Sequence, residues 1–116
     1  MNVINIEKQL RVFLTDIHKN IFGKGPEEVW VKVESDRNVI CFTIKQTSLH
    51  IEEYLDGIPD LKEDWINLRK KIVKHEEKEI FAQFKKITGF KPIKLVIDFD
   101  TSTNITFGMF LFKKID

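Results

Sequence analysis

Sulfur, glycine and proline are all scarce in this chain. A lone cysteine, Cys41, stands among 116 residues, which excludes a disulfide framework and suits a reducing compartment. Five glycines and three prolines are too few for a low-complexity chain. No apolar run approaches the roughly 20 residues that a spanning helix needs. The segment from Met1 to Glu7 has neither a basic nor a long apolar region, so no signal peptide is expected and the cytoplasm is the expected location. Charge of one sign is missing as well. Nineteen basic and eighteen acidic residues leave +1, which provides no global field for anionic polymers or lipid, and no nucleic-acid partner is expected. His18, His50 and His75 share no metal spacing with one another or with Cys41, and neither a metal nor a cofactor is expected.

What is present reads as one soluble α+β domain over residues 1–116, with 42% apolar and 32% charged residues. The chain is organised around Phe22-Gly23-Lys24-Gly25-Pro26. Before this stretch, Ile6, Leu10, Phe13, Leu14, Ile17 and Ile21 share one helical face, predicting a helix from Asn5 to Phe22 with Glu7 on its wet side. After it, Val29, Val31 and Val33 alternate as in a half-buried strand, and Val39 to Lys45 returns across the turn Ser35-Asp36-Arg37-Asn38. Gly23 and Gly25 permit positive φ where the helix must stop, and Pro26 cannot continue it. Ser48 suits the N-cap of a short helix over Leu49 to Leu55. Asp60 suits the cap of a second long helix, with Glu63 completing a capping box. Leu61, Trp65, Leu68, Ile72, Ile80, Phe84 and Ile87 are expected to form its apolar side, and Gly89 its end. At about 28 residues, or about 42 Å, this helix is long enough to overhang a small sheet. A last hairpin runs from Pro92 to Asp100, with Ile93, Leu95, Ile97 and Phe99 alternating, and from Asn104 to Lys113.

The two hairpins can be laid over each other without a gap. Gly23 falls on Gly89, Pro26 on Pro92 and Asn38 on Asn104. Two αββ units therefore predict a four-stranded, mainly antiparallel sheet with both long helices on one face, a circular permutation of the ferredoxin-like plan. Strand 4 is apolar on both sides, with Phe107, Met109 and Leu111 on one and Phe110 and Phe112 on the other. Its surplus face is expected either under the short helix or against a second copy, so a homodimer is expected. Phe110 is the residue chosen to represent that docking face.

Candidate chemistry is sparse. The Gly23–Pro26 loop follows a helix and enters a strand, the reverse of a phosphate loop, and Lys24 reads as an exposed C-terminal cation. Cys41 reads as a buried, inert thiol, and His75 with Glu79 as part of a solvated charge run. Asp98 and Asp100 share a strand face. With Glu34 or Asp116 nearby they could form an acid–base pair, and with Thr101, Ser102, Thr103 and Asn104 a cation or ligand turn. Ordinary turn chemistry competes with both and is preferred. The run from Arg69 to Lys74 reads as a solvated basic face, cancelled by Glu76, Glu77 and Glu79. No catalytic residue is assigned.

Two motifs carry a resemblance. Phe22-Gly23-Lys24-Gly25-Pro26 followed by Glu28-Val29-Trp30-Val31 resembles the FGKGP-x-x-V-x-V signature of the MpsC/YbcI family of small bacterial proteins. Ile87-Thr88-Gly89-Phe90-Lys91, Val96-Ile97-Asp98 and Asp100-Thr101-Ser102-Thr103-Asn104 resemble its C-terminal segment. The chain departs at Lys45 to Ile51, where the family has G-V-L-T-P-A-E, and at Phe90, where arginine is usual. The resemblance implies a cytosolic accessory protein of a bacterial, cation-translocating system that generates membrane potential around an NADH-dehydrogenase-like membrane subunit. It implies no catalytic residues. Gly23, Lys24, Gly25, Pro26, Gly89 and Asp98 become candidates for fold and docking, and an integral-membrane transporter subunit becomes a candidate partner. The alternatives are a small-molecule or ion sensor using the Asp98–Asn104 turn, and an enzyme using Asp98 and Asp100.

Overall fold

The computed structural model describes residues 2–47 and 49–114. Helix α1 spans Val3–Phe22 and strands β1 and β2 span Glu28–Glu34 and Val39–Lys45. A short helix α2, His50–Leu55, precedes the long helix α3, Pro59–Thr88. Strands β3, Lys91–Asp100, and β4, Ile105–Lys113, complete the fold. Ser48 and Asp116, offered above as a cap and as a neighbour of the acidic pair, lie outside the described residues.

Local chemistry sets the ends. The Asn2 side chain accepts from the Asn5 N–H at 3.1 Å and caps α1. Gly23, at φ +74°, ends the helix by donating to the Lys19 carbonyl. Helix α3 does not start at an Asp60 cap. Pro59 occupies its first turn, where a missing N–H costs nothing, and Ile58 at the cap position makes no side-chain hydrogen bond. Asp60 then falls inside the first turn, and the expected capping box with Glu63 does not form.

The sheet order is β1-β2-β4-β3, and every neighbouring pair is antiparallel. Strands β2 and β3, joined through α3, are separated by β4, a split β-α-β arrangement. Helix α1 lies over β1, α3 lies over β3, and the two helices touch. The central strands β2 and β4 therefore run beneath the valley between them. The expected α+β architecture of two αββ units is what the chain adopts.

The two units correspond with an offset of 66 residues, the spacing from Gly23 to Gly89. Glu34 pairs with Val39 and Asp100 with Ile105, so the offset preserves hairpin register. Backbone conformation repeats too: Gly23 and Gly89 share φ +74°, and Asn38 and Asn104 are left-handed at +54° and +60°. Asparagine tolerates this region better than most residues, which suits it to both turns.

The core lies between helices and sheet. Phe84 stacks on Phe110 with ring centroids 4.5 Å apart, and Phe90 stacks on Phe112 at 4.3 Å. Burying one such ring contributes roughly 1.5–3 kcal/mol. Three expectations are corrected here. Phe110, chosen for the docking face, is 1% exposed and points into this core. Ile93 is 59% exposed, because a register shift between Pro92 and Lys94 leaves it unpaired. Leu61 and Leu68 are exposed, whereas Arg69 is buried. The buried side of α3 runs through Arg69, Ile80, Phe84 and Thr88, so no buried position precedes Arg69. That first stretch extends near the end of β3, where α2 packs against it. The short helix does not cover the opposite face of the sheet.

Candidate functional site

The glycine loop sits at the end of α1, and its neighbours are polar groups taken from water. His18, one turn before the helix stop, is 7% exposed. Its Nδ1 lies 3.1 Å from the Lys24 carbonyl oxygen, which can only accept, so Nδ1 carries the proton. Burial lowers the His18 pKa below its ordinary value. The Lys24 hydrogen bond and Glu52 oppose that shift, and Arg69 adds to it. The ring packs 4.9 Å from that of Phe22. The Lys24 side chain is exposed, as expected.

Arg69 is the centre of this end of the molecule. It is 4% exposed, and its guanidinium lies between two rings, 4.7 Å from Phe22 and 4.4 Å from Phe99. Desolvated cation–π contacts of this kind are worth up to about 2 kcal/mol. Its NH1 donates to Glu52 Oε2 at 3.1 Å, and Trp65 Nε1 donates to the same oxygen at 3.1 Å. Burial pulls the guanidinium below its usual range while Glu52 opposes the shift. Two charges removed from water together are tolerated because they are paired and hydrogen-bonded. The segment from Glu52 to Arg69 thus ties α2 to α3 and to the FGKGP stretch through Phe22. Sequence reading placed Arg69 on a solvated face. The signal that it is buried was its spacing, since Trp65, Arg69, Val73, Ile80 and Phe84 recur at intervals of four and seven.

The acidic turn behaves otherwise. One oxygen of Asp100 accepts from the Ser102 N–H and hydroxyl at 3.1 and 2.9 Å, and the other from the Thr103 hydroxyl at 2.6 Å. These bonds hold the Asp100 carboxyl below its ordinary value. Asp98 accepts from the Phe99 N–H at 2.8 Å and pairs with Lys70 at 3.4 Å. Thr101 and Asn104 line a small pocket shared with Glu52 and Trp65, and Asn104 Nδ2 donates to the Gln46 carbonyl at 3.0 Å. This is turn chemistry. Glu34 lies on β1, at the sheet edge opposite the β3 aspartates, so it cannot join them. Among the described residues, no cluster of three or more His, Cys, Asp or Glu could hold a metal ion.

The sheet face away from the helices is open. Trp30, Val96, Phe107 and Met109 are exposed there, with Phe107 at 46%. Cys41, expected to be buried, is half-buried on this face, between Lys32 and Met109 in the strand register. Glu7, expected to face solvent, instead accepts from the Val33 N–H at 2.9 Å and occupies part of the free edge of β1.

The chain matches the family described as "Na+-translocating membrane potential-generating system (MpsC)" over residues 3–114. It belongs to the MpsC family. No curated protein and no solved structure matches it. In this MpsC chain Gly23 ends α1 and Gly89 ends α3, and Phe90 is a core residue 4% exposed. Family membership links the chain to a Na+-translocating, membrane-potential-generating system. Among the described residues, no helix is long and apolar enough to cross a membrane.

Proposed function

We propose that this MpsC chain is a non-catalytic accessory module of a Na+-translocating, membrane-potential-generating system, working in the cytoplasm as a homodimer that docks on an integral-membrane subunit. The observation that carries this reading is the family match over residues 3–114. The open sheet face supports the dimer. Its apolar centre, from Phe107 and Met109 to Val96, is flanked by Lys32, Glu34, Lys94 and Asp98 on the outer strands. Charges of both signs around an apolar centre suit a self-complementary face. The exposed Lys24 loop is the proposed contact with the membrane subunit.

The test is affinity capture of the tagged chain from gently solubilised membranes of its host, with light scattering for molar mass. Wild type should recover a subunit of the system and weigh as a dimer. Phe107→Glu should give a folded monomer, and Lys24→Glu should keep the dimer but lose the membrane subunit. A monomeric wild type would remove the dimer. Repeated capture without a subunit of that system would remove the accessory role.

A further inference from the structure

The two free edges of the sheet are not alike. Strands β1 and β3 are its outer strands. On the β1 edge, Glu7 reaches from α1 to the Val33 N–H. On the β3 edge, a groove of about 310 Å³ lies between helix and strand, lined by Lys70, Val73 and Lys74 of α3 and by Lys94 to Ile97 of β3. An open edge is a template for another strand.

Backbone geometry fixes what that edge offers. The Phe112 N–H donates to the Asn38 carbonyl, on the β2 side of β4, so the odd-numbered groups of β4 face β3. Phe107 and Met109 then exchange hydrogen bonds with their register partners Asp98 and Val96, and Leu95, Ile97 and Phe99 turn their backbone groups outward. The Phe99 N–H is already taken by Asp98 Oδ1 at 2.8 Å. At the other side, the register shift between Pro92 and Lys94 ends the regular edge. Leu95 and Ile97 remain, on either side of Val96.

Side chains decide what can pair there. An edge lysine ordinarily deters a second strand. Here Lys94 and Asp98 lie four residues apart, on the same strand face as the exposed Val96. An antiparallel second copy that pairs Leu95 with the partner's Ile97 sets Lys94 opposite the partner's Asp98, twice, and Val96 opposite the partner's Val96. Slipping the register by two residues sets Lys94 opposite valine in one direction and Val96 opposite aspartate in the other. The first slip also draws in Ile93 at the register shift, and the second needs the occupied Phe99 N–H. Asp98 keeps an oxygen for this role, since its contacts with Phe99 and Lys70 both use Oδ1.

We propose that the β3 edge is a second self-interface, at which two copies join antiparallel about Val96 and their four-stranded sheets become one of eight strands. Leu95 and Ile97 exchange backbone hydrogen bonds with the partner's Ile97 and Leu95, and two Lys94–Asp98 pairs flank the valines. The interface goes beyond the dimer proposed above, because it lies at an edge and leaves Phe107 and Met109 uncovered. So short a contact belongs to the weak class of interfaces and closes at high local concentration, where it joins two dimers.

The experiment combines sedimentation velocity with amide hydrogen exchange on the full chain, from about 10 µM to about 1 mM. The species present at low concentration should double in mass. Exchange at the Leu95 and Ile97 amides should slow in step, while that at Val29 and Val31 on β1 should not. Lys94→Asp and Asp98→Lys should each weaken the doubling by about tenfold or more, because each sets like charges opposite one another twice. An equimolar mixture of the two variants should restore it, since every mixed pair matches a lysine with an aspartate at both ends. No doubling, protection at Val29 and Val31 instead, or variants that associate as well alone as together would each overturn the proposal. The doubling is counted from whichever species stands at low concentration, so a monomeric wild type would remove the face-to-face dimer and still leave this interface decided by the same data.

Discussion

Phe42 on β2 and Gly108 on β4 stand directly opposite each other, and they are also each other's counterparts under the 66-residue offset between the two halves. The internal symmetry of the fold is broken at its own centre. A Cβ on Gly108 would lie 2.7 Å from Phe42 Cζ and 2.5 Å from the Val96 carbonyl oxygen. One half supplies a buried ring, and the other supplies the space beside it.

Gly108→Ala should therefore destabilise the chain by about 1–3 kcal/mol, the usual cost of overpacking. Phe42→Leu in the same chain should recover only part of that loss, since the Val96 carbonyl is backbone and cannot retreat. Urea denaturation of the two single variants and the double variant checks both statements.

The two left-handed asparagines should respond differently to glycine. Asn38→Gly should be close to neutral, because glycine adopts that conformation without strain. Asn104→Gly should cost about 1 kcal/mol more, because it also removes the hydrogen bond to the Gln46 carbonyl. Thermal melts of the two variants, side by side, provide the comparison.

Glu52→Gln should destabilise by about 3 kcal/mol, since it leaves the Arg69 guanidinium buried without its counter-charge. The double variant Glu52→Gln, Arg69→Met should regain most of that stability, as apolar replacements of buried pairs often do. Chemical denaturation at two salt concentrations should give the same difference, because a buried pair is poorly screened.

His18 makes stability depend on pH. Its folded pKa lies below the ordinary 6.5, so in the window between the two values the unfolded chain binds more protons and stability rises with pH. The contribution is complete above 6.5 and is lost as pH falls toward the folded pKa, by at most about 1.4 kcal/mol per unit. Burial sets the shift, the Lys24 carbonyl and Glu52 oppose it, and Arg69 adds to it. His18→Gln should flatten the melting-temperature profile as pH falls below 6.5, relative to wild type.

Local patterns carried most of the architecture. Apolar spacing of 3.6 in one stretch and 2 in the next, broken by Gly23 and Gly89, is a property of neighbouring residues and is readable without contacts. The turn asparagines are legible for the same reason, as is the repeat that joins them. Arg69 was not. A charged residue enters a core only when distant partners meet it, and here these are Glu52 from α2, Phe22 from α1 and Phe99 from β3. Nothing within one helical turn announces them.

The amino-acid sequence by itself determined two αββ units, where each helix stops and which family the chain resembles. Tertiary structure alone decided the strand order, the side on which Phe110 and Phe107 point and the burial of Arg69. Helix and turn signals act over a few residues and depend on backbone chemistry. Burial and hydrogen-bond satisfaction depend on which distant segments arrive, and that is settled only when the chain closes on itself.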